Sequence, residues 1–269
     1  MASTRPGTAD RVAPDGSPYP DRSRPTFERD VRAMFTHIAT RYDWFDHLVS
    51  GGSDYLWRPR ALWELDRRRR SLPTRRILDI GCGTGDLSVL AAHQFPGAQV
   101  IGADFTAAML ARAATRSDRH ALGNRLEFGR ASALHLPFRN GTFDVVMSAF
   151  VFRNLPNLPN AVRELRRVIA PGGTLLTLEI TEPASASVRA LFHAYFDRVV
   201  PWLGSAVNSA GPYRYLPESL RFLPGRTAML KLFRDSGFAD AFAEPQSLGI
   251  VTSYFAEAEP GSGGGVKQA

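Results

Sequence analysis

Ile77-Leu78-Asp79-Ile80-Gly81-Cys82-Gly83-Thr84-Gly85-Asp86 decides how the rest of this 269-residue chain is read. A short apolar run beginning at Arg76 feeds a turn of alternating glycines, and a helical pattern opens at Asp86. The order is a buried strand, a turn whose amides can approach a ligand closely, and a helix: the opening unit of a doubly wound sheet. The turn departs from the G-x-G-x-x-G loop that receives a pyrophosphate, because Asp86 replaces the third glycine and Gly85 is extra. A carboxylate there repels a pyrophosphate, whereas Asp79 and Asp86 suit a ligand carrying positive charge.

Downstream, Gln99–Ala103 reads as a second strand ending at Asp104, about 20 residues after the loop, where a carboxylate can accept both ribose hydroxyls. Helices are expected over Asp86–Gln94, Thr106–Ser117, Leu158–Ile169 (stopped by Pro171-Gly172-Gly173) and Arg226–Ser236. Further strands are expected over Arg125–Phe128, Phe143–Ser148 and Thr174–Glu179, with Phe238–Phe242 and Leu248–Tyr254 as an antiparallel hairpin at the sheet edge. Two amphipathic helical stretches, Phe27–Leu48 and Tyr55–Leu72, precede this core, and Ala184–Val200 reads as an inserted helix. The fold class is therefore α/β, a single doubly wound Rossmann-like domain with a mostly parallel seven-stranded sheet. Residues 1–25 read as a disordered extension, 26–256 as the domain (26–72 its N-terminal helices, 183–225 an acceptor-side insertion) and 257–269 as a flexible tail.

Hydrophobic residues make up 44% and charged residues 22%, a balance that can bury one large core. No window approaches 18 consecutive apolar residues, and residues 1–25 lack an apolar signal core, so a cytoplasmic protein is expected. The single cysteine, Cys82, excludes an intrachain disulfide and a clustered thiolate site, and no metal is expected. The net charge of +7 is densest at Arg67–Arg70, with Arg58, Arg60, Arg75 and Arg76 nearby. Such a run is either a solvated helix end or an attraction to an anionic membrane surface at its inner face. No zinc finger or aromatic-interleaved RNA motif accompanies it, so nucleic acid is not an expected partner.

A cationic ligand that also carries a ribose is S-adenosylmethionine, and Ser132-Ala133 with Pro137-Phe138 stands where this fold borders the adenine. With these elements in register the chain resembles the class I S-adenosylmethionine methyltransferases. Within them it is similar to the ubiquinone/menaquinone biosynthesis C-methyltransferases, over roughly residues 31–250. The stretches carrying that likeness include Val31-Arg-Ala-Met-Phe35, Tyr42-Asp43, Trp57-Arg58, Arg153-Asn154, Leu178-Glu179 and Tyr213-Arg-Tyr-Leu216. The chain departs from the family at Ala149 and Val151-Phe152, and in the C-terminal strand Gly249–Tyr254.

The expected cofactor set is Asp79, Gly81, Gly83, Thr84, Gly85, Asp104, Phe105, Met109, Ser132, Ala133 and Ala149. The resemblance implies Arg153 and Asn154 at the reacting centre, with Tyr42 closing the site. The acceptor would be an aromatic or prenylated quinol lined by Phe150, Phe152, Tyr195, Tyr213 and Tyr215, in a monomer or homodimer. Arg153 cannot serve as a base; it stabilises a developing phenolate, and His135 or His193 is a candidate base. Three alternatives stay open: methylation of a soluble phenol, polyketide or terpenoid, methylation of a lipid amine, and a binding module that holds the cofactor without reaction.

Overall fold

The computed structural model describes residues 24–41, 47, 50–200 and 210–261. β1 (Arg76–Ile80) is buried from its second residue onward, as expected for a central strand covered on both faces. It pairs in parallel with β2 (Gln99–Asp104) on one side and β4 (Phe143–Ala149) on the other. β3 (Leu126–Arg130), β5 (Ile169–Ile180), β6 (Asp240–Gln246) and β7 (Val251–Glu257) complete one seven-stranded sheet, in the order β3-β2-β1-β4-β5-β7-β6. β7 runs antiparallel between β5 and β6, so the C-terminal hairpin closes that edge. Strand order reverses between β1 and β4, and the carboxyl ends of those strands are where such sheets receive ligands.

Helices cover both faces: α1 (Phe27–Ile38), α2 (Asp54–Arg69), α3 (Asp86–Gln94), α4 (Ala107–Arg119) and α5 (Leu158–Val168), then α6 (Ala186–Ala194), α7 (Ala210–Leu220) and α8 (Arg226–Asp235). The core splits into two apolar layers. One joins Leu78, Val146 and Leu175 to α5 and α8; the other joins Ile77, Val145 and Leu176 to α2 and α3.

Two expectations are corrected. Pro171-Gly172-Gly173 does not separate a helix from a strand, because β5 begins at Ile169 and carries these residues as a bulge: Phe143 faces Ile169, while Val145 already faces Thr174. A Cβ on Gly173 would sit 2.7 Å from Ile169 and 2.8 Å from the Ala170 carbonyl, so only glycine permits the detour. The first amphipathic stretch does not run unbroken past Ile38; α1 ends there and a single 3₁₀ turn, Ala39–Arg41, follows. Residues assigned to the tail also join the fold. Ala258 donates to the Gly173 carbonyl at 2.9 Å, and the Glu259 carbonyl accepts from Gly172 at 2.8 Å.

The basic run is not one surface. Arg69 is buried and donates to the Gly172 carbonyl and Thr174 Oγ1, both at 3.0 Å, tying the end of α2 to β5. Arg68 lies over the rings of Phe242 and Phe255, at 4.2 and 4.9 Å, and bridges to Glu64 and Glu244.

Candidate functional site

The glycine turn is pinned to the end of β2. Gly81 and Cys82 donate their amides to the Ala103 carbonyl at 2.7 and 3.2 Å, and Gly83 donates to Asp104 Oδ2 at 3.0 Å. Asp104 Oδ1 accepts from the Thr106 amide at 2.7 Å, which turns the chain into α4. Burial raises the Asp104 carboxyl above its ordinary range, against the pull of the amides it accepts from.

Beside this turn lies a cavity of about 730 Å³, open mouth included. From the expected cofactor set it is lined by Gly81, Gly83, Asp104, Phe105, Met109, Ser132, Ala133 and Ala149, joined by Phe150 and Asn154. Gly81, Gly83 and Gly85 have φ of +63°, +54° and +89°, a left-handed path that L side chains rarely adopt. A Cβ on Gly81 would stand 2.5 Å from Val151 Cγ2. We expect Gly81→Ala to destabilise the fold by about 1–3 kcal/mol and to weaken ligand binding. Adding Val151→Ala restores part of both, because it removes the clash but not the φ strain; thermal melts of the single and double variants check this.

Three expected residues stand behind the wall instead of on it. Asp79 is fully enclosed and accepts from Ser88 Oγ at 2.6 Å. Thr84 is buried and accepts at Oγ1 from Arg116, 3.2 Å away, and Arg116 is also ion-paired with Asp86. Gly85 opens α3 and serves close packing, since a Cβ there would lie 3.1 Å from Ala113. Asp86 is paired with Arg116 and lies off the cavity wall, whereas α1 brings Glu28 onto that wall, where it accepts from Ser132 Oγ at 3.3 Å and pairs with Arg32 at 3.7 Å. Nothing in the local pattern of Phe27–Ile38 marked it, because the contact is purely tertiary.

Burial raises the Asp79 carboxyl to about 7, with the Asp104 and Asp86 charges adding to the rise, although Ser88 and Arg58 pull it down. A cation bound beside the Ile80–Gly81 wall favours the ionised carboxylate, so binding releases a proton there and tightens with rising pH. Calorimetry between about pH 6 and 8 is expected to show S-adenosylmethionine affinity increasing, with the slope lost in Asp79→Asn.

The turn after β4 carries the remaining polar groups. Phe150 holds a left-handed φ of +62°, an uncommon conformation for an aromatic residue and one found at functional turns. That flip puts Phe150 on the cavity, while Phe152, expected beside it, is buried in the core against Phe233 at a ring separation of 6.4 Å. Asn154 lines the cavity with its amide fixed: Oδ1 accepts from Tyr215 Oη at 3.1 Å and Nδ2 donates to the Phe150 carbonyl at 3.4 Å. Tyr215 itself is buried with Phe27, Val31 and Met34 of α1.

Arg153 is buried beneath the same turn and is not part of the cavity wall; its Nε and Nη1 have no hydrogen-bond partner among the described residues. Glu179 lies close enough for the Arg153 charge to pull its carboxyl toward the ionised form, yet burial dominates and pushes the carboxyl up to about 7. Its Oε1 accepts from the Phe152 amide at 2.8 Å, and its Oε2 has no hydrogen-bond partner among the described residues. The sequence showed Glu179 only as part of a family stretch; its position at the buried end of β5, facing the 150–154 turn, is what marks it.

Neither candidate histidine reaches the cavity. His193 pairs with Glu182 at 3.0 Å beside a second hollow under α6 and α7, and His135 borders a shallow surface hollow with Arg130. Tyr195 packs with Phe192, Phe196, Val200 and Leu216, away from the cavity. Tyr42 and the Tyr213 side chain lie outside the described residues.

A left-handed glycine turn, a buried Asp104 on the cavity wall and an apolar lining at the switch point of this sheet are the site of an S-adenosylmethionine-dependent methyltransferase. The ubiE/COQ5 methyltransferase family model matches residues 24–257, and the chain belongs to that family. A demethylmenaquinone methyltransferase from Thermus thermophilus is 42% identical over 77% of this chain and 91% of its own length. A ubiquinone/menaquinone biosynthesis C-methyltransferase from Syntrophotalea carbinolica is 37% identical over 84% of this chain and 93% of its own. Among solved structures, the CurJ carbon methyltransferase has a TM-score of 0.56 at 21% identity, covering 75% of this chain and 54% of that one. The [4+2]-cyclase SpnF matches equally well at 0.56 and 19% identity, over 76% and 81%. The fold is thus shared by proteins with other activities, and the acceptor is read from the site.

Proposed function

We propose that this enzyme transfers the methyl group of S-adenosylmethionine to a ring carbon of a demethylmenaquinol-like polyprenyl quinol. The observation that carries the reading is the polar group under the β4 turn: an oriented Asn154 amide above a buried Arg153 with two nitrogens unpartnered among the described residues. Relatives named for demethylmenaquinone support the choice of acceptor.

A quinol ring carbon becomes nucleophilic when a ring hydroxyl loses its proton and the charge spreads into the ring. S-adenosylmethionine supplies an electrophilic methyl group and leaves as S-adenosylhomocysteine, and the methylated ring carbon then loses its C–H proton while the oxygen is reprotonated, restoring the aromatic quinol. Asn154, steadied by Tyr215, directs its second amide N–H at the quinol oxygen, and the Arg153 guanidinium, buried beneath the same turn, adds a positive field that favours the phenolate charge. Glu179 acts as a positioning residue: its Oε1 accepts the Phe152 amide and fixes the 150–154 turn, and its charge, when ionised, offsets that of the buried Arg153, while the quinol proton leaves to solvent. Phe150, Met109 and Ala149 exclude water from the line of transfer.

No helix among the described residues is long and apolar enough to cross a membrane. A prenylated acceptor resides in the bilayer, so the enzyme is read as acting peripherally at the inner membrane face. The test is mass spectrometry of the purified protein with S-adenosylmethionine and a reduced short-chain demethylmenaquinone. A product 14 Da heavier with the methyl on ring carbon is the expected result. Cofactor binding without product overturns the quinol reading, and the wall departures Ala149 and Val151 then direct the search to soluble phenols and terpenoids.

A further inference from the structure

We propose that the outward face of α2 is a docking surface for an anionic lipid bilayer, which lays the enzyme on the membrane that holds its acceptor. The inference rests on the prenylated-acceptor reading and adds the surface that serves it. Leu56, Arg60, Trp63, Arg67 and Arg70 recur at alternating spacings of four and three, which keeps them on one face of the helix. Leu56 is 69% and Trp63 56% exposed, and Tyr55 beside them is 65% exposed. Large apolar side chains displayed together on a helix that already buries its other side call for a partner.

Charge identifies that partner. Arg60 and Arg70 have no ion pair among the described residues, and Arg67 is tied only to Glu64 on the flank of the stripe. Arginines alternating with leucine and tryptophan on one face match the headgroup–acyl boundary: the cations meet anionic headgroups and the apolar groups sink beside them. A second copy of this chain would bring two rows of arginine together along the whole helix, which like-charge repulsion opposes.

Continuity with the cavity explains the location. Trp57 and Arg58, on the inner face of α2, contact Phe150 at ring distances of 6.2 and 5.4 Å, and Phe150 is part of the cavity wall. The Leu56 end of the stripe therefore lies against the catalytic side of the sheet, the end at which a chain drawn from a bilayer would enter.

The test is flotation of the full chain with vesicles of phosphatidylcholine, alone or with about a third phosphatidylglycerol. The wild type is expected to float with the anionic vesicles only, and to be released by salt. Leu56→Ser with Trp63→Ser, and separately Arg60→Glu with Arg70→Glu, are expected to cut that partitioning at least ~10-fold. S-adenosylhomocysteine binding and turnover of a soluble short-chain quinol are expected to stay unchanged in both. Undiminished flotation of either pair of variants overturns the surface. So does a wild type that never floats but forms a dimer that Leu56→Ser with Trp63→Ser dissolves. Flotation as expected with no turnover of the soluble quinol leaves the surface standing and removes the acceptor instead.

Discussion

Arg153→Ala lowers turnover at least ~100-fold while S-adenosylmethionine binds as before, because the lost groups act on charge that develops only during reaction. The size of the effect follows from burial. The guanidinium is nearly closed off from solvent, so water cannot replace it, and its Nε and Nη1 are committed to no other acceptor among the described residues. Arg153→Lys keeps a positive charge beneath the turn and is expected to recover part of the lost rate. Glu179→Gln separates charge from structure. The wild-type rate is expected to change with pH through about 7, where Glu179 becomes anionic and its charge orients and offsets that of Arg153. The variant keeps the hydrogen bond to the Phe152 amide and the shape of the site, so a lower but pH-independent rate is expected. A pH–rate profile checks it, and an unchanged limb in the variant removes Glu179 from the mechanism. An Arg153→Ala enzyme with wild-type turnover removes the phenolate role.

Asp104→Ala raises the dissociation constant for both S-adenosylmethionine and S-adenosylhomocysteine by ~100-fold or more. A carboxylate that holds two ribose hydroxyls contributes charge-assisted hydrogen bonds of about 1.5–3 kcal/mol each, and every 1.4 kcal/mol is about tenfold in affinity. The same side chain accepts the Gly83 and Thr106 amides, so its loss also loosens the glycine turn. Both ligands carry the ribose and are expected to weaken alike, whereas Asp79→Asn, which changes only charge behind the wall, weakens S-adenosylmethionine more than its uncharged-sulfur product. Equilibrium dialysis of the two ligands against both variants distinguishes the roles, and equal ligand affinity in Asp104→Ala and wild type would reject the assignment.

By itself the sequence determined the sheet, its cofactor edge and the family. Apolar runs of strand length, each closed by a turn signal, leave few other folds, and glycine at Gly81, Gly83 and Gly85 reports a left-handed path that local chemistry alone demands. Asp104 was legible for the same reason: its distance from the loop is set by one βαβ unit. Tertiary structure decided which charges face the cavity. Asp86 is lost to Arg116 across α3 and α4, Glu28 is gained from α1, and Arg69 leaves the surface for β5. The left-handed φ at Phe150 turned that ring to the cavity and Phe152 to the core, against a simple aromatic pattern. These outcomes depend on side chains meeting from distant parts of the chain, and pair contacts of that kind leave no periodicity in the sequence for pattern reading to find.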